Sequence, residues 1–169
     1  MPRVSETFDF DAVEWRSISD PKEAAFLIDF EYSLLGYDIP SGRMDMLLRF
    51  KGNGGHCRRH RHIAATVTMV LEGEQHVSEQ DAAGNVTKTT IRKKGEYALA
   101  EADAVPHMER GGPDGGTVLL SMSTLDGRLF EYFDQDMKSI KVLMLEEYVA
   151  SWNRGSVPGA VAGPEASAA

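Results

Sequence analysis

The stretch "GGHCRRHRHIAATVTMVLEG", residues 54–73, sets three histidines and three arginines within seven positions and then runs into an apolar segment. In an extended strand alternate side chains share a face, so His60 and His62 point the same way. Two neutral imidazoles side by side can chelate one divalent ion, and imidazole suits iron, manganese, nickel, copper and zinc. A bare His-x-His pair matches by chance too often to decide alone. The same rings, with Arg58, Arg59 and Arg61, could equally form a solvated basic turn or a patch for nucleic acid.

Composition weighs against the last of these. The chain has 18 Lys plus Arg against 26 Asp plus Glu, a formal net charge of −8 that repels a phosphate backbone. No other stretch supplies a basic cluster on the scale of residues 58–61. No apolar run approaches the ~18–20 residues that span a bilayer, and the start "MPRVSETFDFDAVEW" does not read as a secretory signal. The one cysteine, Cys57, cannot close an intrachain disulfide, which fits a reducing cytoplasm. The expectation is a cytoplasmic protein with a small-molecule substrate and neither nucleic acid nor membrane as partner.

The elements that must position the histidines read as strands. "FLIDFEYSLLGYD" and "RMDMLLRFKG" flank the turn "IPSG", with a short helical turn expected at 21–25. "TVTMVLEGEQHVSE" and "VTKTTIRKKGEYALAE" follow, separated by "QDAAGN", and then "GTVLLSMST" and "RLFEYFDQ" around "LDG". Val142, Leu145, Tyr148, Val149 and Trp152 recur at helical spacing. Many short strands with a helix only near the end indicate an all-β sandwich or barrel. A single domain is expected over 10–153, with a flexible Gly/Pro/Ala-rich tail at 154–169.

In that frame the chain resembles the cupins, the RmlC-like barrels. Their first motif runs from a glycine through five residues to His-x-His, then three or four residues, a glutamate, six residues and a glycine. Gly54, His60, His62 and Gly73 match it, and Thr66 stands where the glutamate belongs. The second motif is looser: Gly95 opens it and His107 closes it one residue late, with Ala102, Ala104 and Gly111 in place of Pro, Gly and Asn. The resemblance covers roughly residues 45–125. It implies a cupin double-stranded β-helix, or jelly-roll barrel, with a short C-terminal helix.

It also implies a divalent metal at His60, His62 and His107, with Fe(II) favoured and Zn, Ni or Mn possible. His60 and His62 then face inward while Arg59 and Arg61, of opposite parity, face outward. Without the glutamate, three neutral imidazoles would leave the ion its full charge and attract an anionic chelating ligand. Thr66 is then a candidate to hydrogen-bond a metal-bound species, and His56, which shares the parity of His60, is either an extra or outer ligand or, as the first expectation, a loop-exposed histidine. Glu72 could substitute for the missing carboxylate only if its strand bulged. His76 is expected on the surface, and Met69, Met108, Met122 and Leu120 are expected to line the barrel.

The chain is nearest in character to three-histidine cupin dioxygenases, such as those that cleave acetylacetone or dihydroxyacetophenones. The function implied is a non-haem Fe(II) dioxygenase cleaving an enolisable diketone-like or aromatic ketone substrate. The alternative is a non-catalytic Zn- or small-ligand-binding cupin acting as a sensor or binding module. A homodimer is expected, formed by covering an edge at residues 26–35.

Overall fold

The turn residues Pro40, Ser41 and Gly42 close a hairpin between β2 (Asp29–Asp38) and β3 (Arg43–Phe50), whose inward residues are large and apolar. This computed structural model describes residues 9–20, 23 and 25–157. Before the hairpin, β1 (Arg16–Ser19) pairs antiparallel with β2. After it come β4 (His60–His62), β5 (Ala65–Gln80), β6 (Val86–Lys93), β7 (Tyr97–Ala100), β8 (His107–Ser123), β9 (Arg128–Phe133), β10 (Ser139–Met144) and α1 (Leu145–Asn153). The sheet runs β1-β2-β3-β8-β4-β9-β10, and β5 joins it through β8 while carrying β6 and β7 on its other side.

Strands β5 and β8 hold the two halves of this curled sheet together. They pair from Ala65↔Ser123 to Glu79↔His107, with register shifts between Val70 and Glu72 and between Gly73 and Gln75. At that corner the two backbones approach too closely for side chains. A Cβ on Gly116 would meet the Glu74 carbonyl oxygen at 2.0 Å, and one on Gly73 the Gly115 oxygen at 2.3 Å. Gly73 also sits at φ 60°, a left-handed conformation glycine adopts without steric cost. The bend turns the first part of β8, which carries His107, back over β4.

The main core lies between the sheet layers. It includes Leu34, Met44, Leu48, Val70, Val118, Leu120, Met122 and Leu129, all nearly inaccessible to water. Helix α1 closes one end with Leu145, Tyr148, Val149 and Trp152, and the Tyr32 ring packs edge-on to Trp152 at 5.4 Å. Truncating Trp152 to alanine should cost about 3–5 kcal/mol, the usual range for a large buried aromatic. A second cluster of Val13, Leu35 and Leu47 covers the outer face of the β2–β3 hairpin.

The structure departs from the sequence reading at Val142, at part of the 26–35 segment and at two methionines. Val142 lies in β10, paired with Glu131, so the helix starts three residues later than its apolar spacing indicated. Within that segment β1 pairs with residues 29–32 and β3 with residues 30–34, so along 29–32 it is β1 and not the 26–35 segment that ends the sheet. Met69 and Met108 do not line the barrel. They alternate with Thr68 and Val70 and with His107 and Glu109, which take the inward positions, and Met69 is exposed. Met122 and Leu120 do face inward. The helical turn expected at 21–25 rests mostly on residues outside those described, as does the tail from 158 onward. Among the described residues no helix is long and apolar enough to cross a membrane.

Candidate metal centre

Strand β4 is only His60–Arg61–His62, held between β8 and β9 with His60 facing both His107 and Tyr132 in register. The alternation is strict. His60 and His62 are buried, while Arg61 turns outward to pair with Glu131 at 2.6 Å and Asp103 at 3.2 Å. Arg58 pairs with Asp20 at 3.1 Å. Arg59 stacks over Phe26 at 4.9 Å. The dense run of cations is therefore separate contacts on different sides of a strand.

Across from β4, His107 and Glu109 occupy alternate positions at the start of β8 and are both buried. The ligating atoms of His60, His62, His107 and Glu109 all lie within 4.8 Å of one another. His60 Nε2 is 3.0 Å from His62 Nε2, and His107 Nε2 is 3.2 Å from Glu109 Oε1. Donors about 2.1 Å from a common ion and at right angles to one another stand about 3 Å apart, so the spacing fits a transition-metal site. The side chains of Phe130 wall the group, at 5.1 Å from the His62 ring.

The outer nitrogens explain which atoms face inward. His60 Nδ1 donates to the Arg58 carbonyl at 2.7 Å, and His107 Nδ1 to the Val105 carbonyl at 2.8 Å. Thr66 Oγ1 donates its one proton to the Ala64 carbonyl at 3.0 Å, so at 2.9 Å it accepts from His62 Nδ1. With each Nδ1 carrying hydrogen, neutral His60 and His62 turn their Nε2 lone pairs toward one another, while His107 Nε2 faces Glu109 Oε1. Two lone pairs at 3.0 Å repel unless a cation sits among them. Glu109 Oε2 is likewise buried without a hydrogen-bond partner. Lone pairs that converge in a buried space with no donor for them are what a divalent ion would satisfy.

Electrostatics agree with the geometry. Burial, with the His107 charge in addition, pushes His60 down to about 4 against the weaker pull of Glu109. Burial and the charges of His60 and His107 drive His62 well below its usual range. Both rings are thus neutral, the ligating form, at ordinary pH. For His107 burial alone acts downward, but the Glu109 hydrogen bond and charge outweigh it and raise the ring. Glu109 feels burial upward, and the His107 hydrogen bond and charge hold it below the usual carboxylate range.

The structure thus gathers His60, His62 and His107 and adds a donor that the sequence reading missed. A carboxylate is present after all, supplied by Glu109 from β8 and not from the Thr66 position. The expected set of three imidazoles with an undiminished ionic charge is corrected accordingly. The available signal was the alternation in "HMER", where Glu109 shares the face of His107. Thr66, fully buried, orients His62 from behind. His56 stands apart, its ring edge-on to Phe26 at 5.6 Å, and Glu72 is exposed. His76 is mostly covered and pairs with Glu74 at 2.8 Å, so it is not the surface residue expected.

Two spaces flank the donor group. On the His60 side is a mainly apolar cavity of about 50 Å³, walled by Phe30, Met46, Leu48, Phe130 and the tyrosines 32, 132 and 148, with Cys57 and Arg58. On the side of His62, His107 and Glu109 is a more polar chamber of about 110 Å³, bounded by Thr68, Glu79, Arg92 and the β7 alanines 98 and 100.

No protein-family model and no curated protein matches the chain in sequence. Solved structures match it in shape. One is a provisionally assigned acetylacetone dioxygenase from Methylibium petroleiphilum, 20% identical, covering 88% of this chain and 94% of its own with a TM-score of 0.64. An acetylacetone dioxygenase from Acinetobacter johnsonii is 15% identical, with 82% and 85% covered and a TM-score of 0.62. A cupin 2 conserved barrel domain protein from Rhodopseudomonas palustris is 16% identical, with 81% and 89% covered and a TM-score of 0.59. The fold is that of the cupins, as the two motifs implied.

Proposed function

We propose that this cupin-fold chain is a metal-dependent oxygenase, a non-haem Fe(II) dioxygenase that cleaves an enolisable diketone-like or aromatic ketone substrate. The observation that carries the reading is the convergence of three Nδ1-anchored imidazoles and the partnerless Glu109 oxygen in one buried group. When bound, divalent iron would supply Lewis acidity toward a chelating enolate and electrons toward dioxygen. His60, His62, His107 and Glu109 would hold it. The Arg58 and Val105 carbonyls and the Thr66 hydroxyl keep the rings oriented, so little reorganisation accompanies ligand binding. Phe130 and the apolar cavity exclude water from the His60 side. The likeness in shape to an acetylacetone dioxygenase and to a provisionally assigned one supports the substrate class.

A second reading has an observation in its favour. Four protein donors can close a tetrahedral zinc site, as structural zinc centres do, and the chain would then be a binding or sensory module. The adjoining chamber speaks for open coordination positions instead. Metal analysis of the purified protein followed by an oxygen-consumption screen separates the two. Iron with oxygen uptake on adding a diketone supports the oxygenase, and tightly held zinc without turnover supports the module.

A further inference from the structure

The chamber beside His62, His107 and Glu109 contains a cation that the donor group does not explain. Arg92 lies on β6, in register with Gln75 on β5, and is half-buried where Lys88 and Lys93 of the same strand are exposed. One of its nitrogens, Nη1, donates to Gln75 Oε1 at 2.9 Å. Among the described residues no carboxylate lies within ion-pair distance of it, although every other arginine drawn into a contact near the donor group either pairs with an acid or stacks on a ring. Gln75 is itself inaccessible to water, and its Nε2 has no partner, so an unused donor sits beside an unneutralised guanidinium. A half-buried charge is stable when an opposite charge completes it.

We propose that Arg92 is the anion-recognising residue of this chamber, selecting a compact chelator that carries a carboxylate, a small keto or hydroxy acid, over an uncharged diketone. This rests on the oxygenase reading for the chelating end of the ligand and adds the group that its other end meets. Arg92 and the donors His62, His107 and Glu109 bound the same space, so a small ligand reaches both. Glu79, the other acid on the chamber wall, is paired with Lys88 at 3.2 Å and leaves Arg92 to the ligand. Glu109 lowers the charge of a loaded centre, so a second cation is what an anionic ligand would need there.

Size narrows the class further. The chamber's volume of about 110 Å³ is only a few times the ~30 Å³ share of one water molecule, which favours a compact ligand.

The test compares acetoacetate with acetylacetone, which match in size and differ in the carboxylate. Calorimetric titration of the full-length chain, carrying the divalent metal it retains on purification, should show acetoacetate binding at least about tenfold tighter, the usual worth of a charge-assisted pair. Arg92→Gln should collapse that ratio toward unity, and Arg92→Lys, which keeps the charge without the planar fork, should restore part of it. A wild-type protein with no preference for acetoacetate, or one that binds neither compound, overturns the proposal, as does a ratio unchanged in Arg92→Gln. Oxygen uptake recorded on the same samples separates the two readings. Uptake with acetylacetone and no acetoacetate preference leaves the oxygenase and removes the role of Arg92. A preference abolished by Arg92→Gln with no uptake on either compound does the reverse.

Discussion

The two arms of the donor group are built alike and behave differently. His60-Arg61-His62 on β4 and His107-Met108-Glu109 on β8 each place two donors inward and one residue outward by strand alternation. The β4 arm is a three-residue strand clamped between β8 and β9, and burial keeps its two imidazoles neutral. The β8 arm begins a 17-residue strand and carries a hydrogen-bonded imidazole–carboxylate pair. One arm therefore contributes lone pairs and the other contributes charge. The net charge of a loaded centre depends on a single residue, Glu109, and on a strand remote in sequence from the His-x-His motif.

The strongest way to break this comparison is to remove a candidate donor from the neutral arm. His60→Ala should weaken divalent-metal affinity by about a hundredfold or more, because changing even the partners that orient ligands costs about 10- to 100-fold. Competition against a chelating dye measures this. His107→Ala should act in the same direction, and His76→Ala, whose ring pairs with Glu74 away from the group, should match wild type.

The pH dependence of the metal-free protein probes the same arm. Burial pushes His60 down to about 4 in the folded state from about 6.5 when unfolded. Below about 6.5 the unfolded chain binds a proton that the folded chain refuses. Stability should therefore fall as pH drops from about 6.5 to about 4, by roughly 3 kcal/mol from this residue alone. Urea midpoints measured in the presence of chelator would show it. A flat profile through that window would mean that His60 is solvated in the absence of metal.

Charge is the lever on the other arm. Glu109→Gln keeps the shape and removes the carboxylate, and should lower metal affinity about 10- to 100-fold while leaving ion binding detectable. It should also lower the proton affinity of His107, whose elevation comes from Glu109, and NMR titration of that ring would register the change. If His107 titrates alike in both proteins, the paired arm is not a pair. The smallest effect is expected behind the neutral arm. Thr66→Val removes the acceptor for His62 Nδ1 at nearly constant volume and should reduce metal affinity by about tenfold.

Most of the framework was legible because strands advertise themselves by alternation and turn residues. The hairpin around Pro40-Ser41-Gly42, the break at 81–85 and the turn at 125–127 stand where turn chemistry put them. The grouping of His60, His62 and His107 was legible through the resemblance to the two cupin motifs, not through spacing alone. Glu109 was not, because the motif puts its carboxylate at the position Thr66 holds, and nothing local in "HMER" shows that β8 folds back over β4. That juxtaposition depends on the bend at Gly73 and Gly116, a contact between residues far apart in the chain. Val142 was assigned to the helix for a related reason. Its spacing suits α1, and only pairing with β9, a tertiary event, holds it in a strand.

The most direct measurement is an anomalous-difference map from crystals of the protein grown with its native metal and collected at that metal's absorption edge. The account predicts one strong peak bounded by the Nε2 atoms of His60, His62 and His107 and the Glu109 carboxylate, at about 2.0–2.2 Å from each. A folded protein with no peak among these four residues, or a peak bound by the histidines with Glu109 turned away, would contradict it.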